Sequence, residues 1–116
     1  MPLSPPPLAL VWQMERFVPG LLPTFVALVN RVPFSSVNSW WRSPSDNERV
    51  GGAADSQHLW AAAVDVSGDL DAIETGARES GLIPVRFARH VHIQAWPAGV
   101  ARQVGLPQAL ERVHLL

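Results

Sequence analysis

The chain of 116 residues is long enough for one compact domain and too short for two of ordinary size. It is 47% hydrophobic and 16% charged, which excludes a disordered or fibrous chain. The net charge of −1 argues against nucleic-acid binding and against a polybasic membrane anchor. The chain has no cysteine and all nine of its basic residues are arginine, so disulfides, thiolate ligands and lysine chemistry are excluded.

The first third of the chain predicts a lead, a helix and a strand. Residues 1–8 are rich in proline and are expected to form an extended lead, followed by a single domain over residues 9–116. Apolar residues repeat with helical spacing over residues 23–31, which predicts a helix that ends at Pro33. Residues 34–41 are predicted to form a strand, because this short segment contains a valine and two tryptophans.

The middle of the chain predicts a loop and three further elements. Residues 43–57 are polar and rich in turn formers, which predicts a long functional loop. The apolar run over residues 59–66 predicts a buried strand, and the turn at residues 67–69 predicts the N-cap of a helix that closes at Gly81. Residues 84–94 alternate between apolar and other side chains and predict one strand. This order of elements predicts an α+β domain.

The remaining segments contain no targeting or membrane signal. The N-terminal stretch lacks the basic start of a secretory signal, and prolines break its apolar run. The apolar run over residues 18–29 is interrupted by proline and glycine and is shorter than the ~20 residues that span a bilayer. A short helix is predicted after Pro107. We therefore expect a soluble protein without a membrane span.

Histidine and aspartate are the residues most able to carry chemistry here. His90 and His92 are two apart in a predicted strand, so their side chains leave the same face. Two imidazoles on an apolar strand are costly to bury without a partner. His58 and Asp65 lie at the two ends of the preceding apolar segment, where a carboxylate needs a counter-charge or a metal. Two histidines and one aspartate form a three-ligand zinc set that leaves a position for water. The alternative is a solvent-facing histidine pair on an edge strand.

Four motifs follow one another in the order found in a known enzyme family. They are S-x-x-R-S-P at residues 39–44, N-x-x-V-G-G at residues 47–52, S-x-H-x-x-A-x-A-x-D at residues 56–65, and H-x-H at residues 90–92. In this order they resemble the zinc D-alanyl-D-alanine carboxypeptidases and their relatives. Those relatives include D,D-dipeptidases, phage L-alanyl-D-glutamate endolysins and the hedgehog signalling domain.

The resemblance implies roles for individual residues. His58, Asp65 and His92 are implied to bind one zinc ion per chain, which makes a water molecule nucleophilic toward a peptide carbonyl. Arg42 is implied to hold the carboxylate of the substrate through its planar guanidinium, the alternative being a solvated loop residue. Ser56 is expected to hydrogen-bond the substrate or orient the site, the alternative being a simple turn residue.

Two positions depart from the family pattern. Ala61 stands where the signature has glycine, a change that a strand accepts if the backbone there does not need a positive φ. Arg89 stands where one branch of the family has a glutamate base three residues before the last ligand. In the H-x-H branch the first histidine lies beside the metal, so His90 is expected to act as general base or to stabilise the oxyanion.

The resemblance also implies a fold and an activity. The fold is a small α+β domain with a central antiparallel sheet and flanking helices, as in hedgehog and D,D-peptidase domains. The activity is that of a zinc-dependent metallopeptidase that cleaves peptidoglycan stem peptides, either as a D,D-carboxypeptidase or as an endolysin-like endopeptidase. The alternative is a catalytically inactive zinc-binding module that recognises cell-wall peptides, for example in a phage particle. We expect a monomer whose partner is a peptidoglycan peptide. It would be cytoplasmic until released, or would act at the cell wall or in a phage particle.

Overall fold

A four-stranded antiparallel sheet lies at the centre of the computed structural model, which describes residues 3–98 and residue 100. Its strands are β1 (Ser36–Ser39), β2 (Ala63–Ser67), β3 (Ile83–Arg86) and β4 (Val91–Gln94), in the order β1-β2-β4-β3. The α-helices are α1 (Leu8–Phe17), α2 (Leu21–Arg31), α3 (Pro44–Arg49) and α4 (Leu70–Glu79), and a 3₁₀ helix covers Gln57–Trp60. The predicted α+β class, with a central antiparallel sheet and flanking helices, is confirmed.

The two central strands separate the core from a polar face. Val64 and Val66 of β2 and Val91 and Ile93 of β4 are buried in one apolar cluster with residues of α1, α2 and α4. Side chains alternate along a strand, so the residues between these four point to the opposite face of the sheet. Core packing on one face therefore fixes which residues are presented on the other.

Helices α2 and α4 form where the sequence predicts them. Asp69 caps α4 by accepting a hydrogen bond from the Ala72 backbone N–H at 3.2 Å, and the chain leaves the helix through Gly81 at φ 77°. Helix α2 begins at Leu21, two residues earlier than predicted, with Pro23 in its first turn. Helix α1 is not among the predicted elements.

Three predicted elements are corrected by the structure. The polar loop over residues 43–57 contains α3, because the Ser43 hydroxyl accepts from the Asp46 N–H and Pro44 favours the first helical position. The strand predicted over residues 59–66 begins only at Ala63, and the one predicted over residues 34–41 is limited to Ser36–Ser39. Residues 59 and 60 belong to the 3₁₀ helix.

The single strand predicted over residues 84–94 is a hairpin of β3 and β4. The Phe87 N–H donates to the His90 carbonyl at 2.9 Å, which closes a tight turn through Ala88 and Arg89. Apolar and other side chains alternate on both sides of this turn in the same phase, so the sequence pattern does not reveal it.

Ala61 adopts a left-handed conformation, with φ 56° and ψ 25°. The condition stated for alanine at this position, a strand backbone without a positive φ, is therefore not met. Ala61 ends the 3₁₀ helix, and its reversed backbone lets the Ala62 N–H donate to the Gln57 carbonyl at 3.0 Å before β2 begins. A glycine would adopt this conformation without the steric cost to Cβ.

Two expectations concern the ends of the chain and the membrane. The short helix predicted after Pro107 lies outside the described residues, and the boundary between a lead over residues 1–8 and a domain over residues 9–116 stays a prediction. Among the described residues, no helix combines the length and the apolar character needed to cross a bilayer.

The strain at Ala61 can be measured by replacing it with glycine. Loss of a buried methyl group costs about 0.8 kcal/mol, and the more flexible unfolded chain costs a further ~0.4–1 kcal/mol. Relief of the left-handed conformation returns about 1–2 kcal/mol. These contributions nearly cancel, so we expect Ala61→Gly to change the free energy of unfolding by less than about 0.8 kcal/mol in either direction, measured by urea denaturation. Ala62→Gly is the control, because Ala62 is equally buried and lacks a positive φ. Equal destabilisation by both changes would contradict the strain.

Candidate functional site

Three predicted ligands meet on the polar face of the sheet. His58 lies on the 3₁₀ helix, Asp65 on β2 and His92 on β4, where Asp65 and His92 are direct cross-strand partners. Asp65 Oδ1 lies 3.2 Å from His58 Nε2 and 2.9 Å from His92 Nδ1. All three candidate ligand atoms lie within 4.8 Å of one another. The group is therefore compact enough to bind one metal ion.

The outer nitrogen of His58 is held by the backbone. His58 Nδ1 is hydrogen-bonded to the Trp40 carbonyl oxygen, which can only accept, so Nδ1 carries the hydrogen. In the neutral ring, Nε2 then directs its lone pair at Asp65. This is the arrangement in which a histidine binds a metal through one nitrogen and is oriented through the other.

The outer nitrogen of His92 is held by a side chain. His92 Nε2 lies 3.0 Å from Gln94 Oε1, which accepts its hydrogen. In the neutral ring this leaves the lone pair on Nδ1, the nitrogen that faces Asp65. Both histidines therefore direct acceptor nitrogens toward the same carboxylate oxygen.

The carboxyl group of Asp65 is held in its charged form. Its burial by itself would raise the pKa of Asp65. When the facing nitrogens of His58 and His92 carry hydrogens in place of binding a cation, their hydrogen bonds and charge attraction outweigh burial and lower this pKa well below its usual range. Its second oxygen, Oδ2, lies 3.3 Å from Arg42 Nη2. Asp65 therefore uses one oxygen toward the histidines and the other toward the arginine.

The donor set suits a divalent metal such as zinc. Two imidazole nitrogens and a carboxylate oxygen, all acceptors, converge at distances at which their lone pairs repel one another unless a cation lies among them. Three N and O ligands with an open side match catalytic rather than closed structural zinc sites. The residues present therefore fit the ion that the sequence suggests.

An open cavity of about 340 Å³ lies over this group, large enough for part of a peptide. All six predicted site residues line it: Arg42, Ser56, His58, Asp65, His90 and His92. The structure thus brings together side chains that are spread over 51 positions of the sequence, from Arg42 to His92 inclusive.

Arg42 and Ser56 make contacts with the ligand residues. The Arg42 backbone N–H donates to the His58 carbonyl at 3.0 Å, and its guanidinium contacts Asp65. The Ser56 hydroxyl accepts from the His58 N–H at 3.3 Å and so caps the 3₁₀ helix. Ser56 therefore fixes the segment that carries the first ligand while its side chain lines the cavity.

His90 lies at the end of the hairpin turn, one residue before β4, and not within a strand. Its ring stacks on that of Phe87, with centroids 4.7 Å apart and planes 10° from parallel. The hairpin register continues to this pair, so His90 and His92 share a face of the sheet as predicted. Arg89 is exposed at the turn.

Four cavity residues with polar or aromatic side chains are absent from the predicted site: Gln57, Gln94, Phe87 and Asp55. The strand period could have identified Gln94, because it lies two residues after His92 on the same face. Asp55 brings a further carboxylate to the cavity, and nothing in the polar segment around it distinguishes it in the sequence.

Comparison with known proteins adds one finding. The family model described as Peptidase M15 matches residues 32–94, which include all three candidate ligands. No curated protein and no solved structure matches the chain significantly.

We expect one Zn²⁺ per chain to bind to His58, Asp65 and His92 and to stabilise the fold. At about 100 times its dissociation constant, a ligand that binds only the folded state adds about 2.7 kcal/mol to the free energy of unfolding. Thermal unfolding with and without Zn²⁺ measures this, and the increase should vanish in His92→Ala and in Asp65→Asn. His90→Ala is the control that keeps the increase. Equal stabilisation of all four proteins would show that zinc binds elsewhere.

Proposed function

This chain belongs to the Peptidase M15 family, and on that premise we propose that it is a zinc-dependent peptidase that cleaves peptidoglycan stem peptides. The observation that supports this most directly is the convergence of His58, Asp65 and His92 below an open cavity. When bound to these residues, zinc supplies Lewis acidity, which polarises a carbonyl and lowers the pKa of water. The remaining chemistry falls to side chains around the cavity.

Arg42 would bind the terminal carboxylate of the peptide. Its guanidinium lies at the cavity, partly buried, and one of its nitrogens contacts Asp65 at 3.3 Å. A guanidinium has five N–H donors in a rigid plane, so a contact with Asp65 leaves others for a second carboxylate. Binding the terminus there places the last peptide bond near the metal ligands, which favours carboxypeptidase over endopeptidase action.

His90 would handle protons or the developing negative charge. Its imidazole lines the same cavity as the metal ligands and is backed by the ring of Phe87. An imidazole at this place can take a proton from water, or donate its N–H to the oxygen of the tetrahedral species. Ser56, which also lines the cavity, offers a hydroxyl for a hydrogen bond to the peptide.

Peptidoglycan stem peptides fit this arrangement by their chemistry. They end in free carboxylates, which suits Arg42, and an open cavity accepts the unusual side-chain directions of D-residues. The family to which the chain belongs also supports a peptide substrate. A protein with this substrate would act at the cell wall, including after release during phage lysis.

One observation favours a second function, that of a zinc-binding module that recognises wall peptides without cleaving them. Arg89 occupies the position of the glutamate base in one branch of the family and is exposed at the hairpin turn. If His90 does not replace that base, the protein would bind wall peptides at the zinc site without cleaving them.

The function can be tested on a synthetic stem peptide ending in D-Ala-D-Ala, offered as the free acid and as the C-terminal amide. With Zn²⁺ present, we expect the free-acid peptide to release D-alanine, which mass spectrometry detects. Cleavage of the amidated peptide should be at least ~10-fold slower, because a carboxylate contact to Arg42 is lost. His92→Ala is the inactive control. Equal cleavage of both peptides would remove the carboxylate role and indicate an endopeptidase. Binding by calorimetry without cleavage would indicate the non-catalytic module.

The role of His90 is tested by His90→Ala. We expect kcat to fall by about 10²–10⁴-fold, the usual contribution of a positioned acid–base group. Zinc content should remain one per chain, because His90 is not among the three converging ligands. Steady-state kinetics and metal analysis on the same preparation check both expectations. An unchanged kcat would assign the proton transfer to another cavity residue, with Asp55 the first to examine.

A further inference from the structure

We propose that Gln94 is a positioning residue for His92 and that the buried Gln57 fixes the orientation of Gln94 through the carbonyl of Trp96. The inference rests on the proposed function only in that it requires a metal at His58, Asp65 and His92. According to this inference, two uncharged side chains determine which nitrogen of His92 has its lone pair free to bind the metal.

Gln57 is the fixed end of this chain of hydrogen bonds. It is 5% exposed, and its Oε1 accepts the backbone N–H groups of Ala95 at 3.0 Å and Trp96 at 3.2 Å. Backbone N–H groups can only donate, so the oxygen of the amide must face them. The Nε2 of Gln57 is thereby directed at the Trp96 carbonyl, to which it donates.

Gln94 takes its orientation from the same carbonyl. Its Nε2 donates to the Trp96 oxygen at 3.0 Å, which leaves Oε1 to face His92 Nε2 at 3.0 Å. An amide oxygen can only accept, so the hydrogen of the neutral His92 ring lies on Nε2. The lone pair is then on Nδ1, 2.9 Å from Asp65 Oδ1.

The orientation of the last ligand therefore derives from backbone groups and not from a freely rotating amide. The two backbone N–H groups set Gln57, the shared carbonyl sets Gln94, and Gln94 sets the tautomer of His92. Partners of this kind hold a metal-binding histidine in place, and their loss typically weakens metal binding by about 10–100-fold.

Gln94 also lines the cavity, so contact with substrate is the competing explanation. Measurements without substrate separate the two roles. Zinc affinity of the full chain can be measured by competition with a chromophoric chelator, and the absorption of bound Co²⁺ reports the geometry of its ligands. Neither depends on peptide binding or on catalysis.

Gln94→Leu removes the acceptor and keeps the size of the side chain, and we expect its zinc affinity to fall by about 10–100-fold with an altered Co²⁺ spectrum. Gln94→Glu keeps an acceptor for the His92 N–H but loses the donor to the Trp96 carbonyl, so its zinc affinity should lie clearly above that of Gln94→Leu. Gln13→Leu makes the same chemical change on α1, outside the cavity, and should leave the affinity unchanged.

Gln57→Leu tests the more distant step. It should weaken zinc binding less than Gln94→Leu does. It should also lower thermal stability, because the backbone N–H groups of Ala95 and Trp96 lose their acceptor. The Co²⁺ spectrum of the folded fraction keeps this variant informative even where it is destabilised.

The outcomes separate this inference from the function on which it rests. Unchanged zinc affinity and an unchanged Co²⁺ spectrum in Gln94→Leu would overturn the positioning role and leave a zinc peptidase intact. Equal weakening in Gln94→Leu and Gln94→Glu would overturn the role of the acceptor oxygen. An original chain that binds neither Zn²⁺ nor Co²⁺ would overturn both the inference and the proposed function.

Discussion

A single carboxylate oxygen, Asp65 Oδ1, lies within 3.2 Å of two imidazole nitrogens that come from different elements. A carboxylate accepts but does not donate, so its surroundings must supply either a hydrogen or positive charge. Between Oδ1 and the two imidazole nitrogens, that is a hydrogen on the nitrogen or a metal ion that all three atoms bind. Arg42 supplies hydrogen and positive charge to the second oxygen. The segment from Trp40 to Arg42 binds the side chain of His58 at one end and that of Asp65 at the other, so this one charge organises three parts of the chain.

The position of Asp65 relative to His92 depends on how β2 pairs with β4. Asp65 lies opposite His92, while Val64 and Val66 beside it face the apolar core. A slip of one residue in this pairing would turn the valines toward solvent and the carboxylate toward the helices. Burial of the valines is thus what keeps the two ligands opposite each other.

The sequence predicts the class of fold and the residues of the site better than it predicts the turns, backbone conformations and long-range hydrogen bonds around them. Periodicity and the order of motifs are local properties of the sequence, and they identify α2, α4 and six of the residues that line the cavity. The hairpin turn at Ala88 and Arg89 is hidden because alternation continues in phase across it. The left-handed Ala61 is hidden because alanine has no preference for that conformation. The role of Gln57 depends on backbone groups of Ala95 and Trp96, nearly forty positions away, which no local pattern reports.

Pro84 has a consequence for how the sheet ends. It lies in β3, the outermost strand next to β4, opposite Ile93. Hydrogen-bonded and non-hydrogen-bonded pairs alternate in antiparallel sheets, and the bonded Phe87–His90 pair places Pro84 at a position whose backbone points outward. Proline has no N–H to offer there, so the row of donors along this edge is interrupted. A strand of another molecule could not form a continuous row of backbone hydrogen bonds with this edge. The missing donor thus protects the sheet from edge-to-edge pairing at β3, the strand next to β4 and its metal ligand.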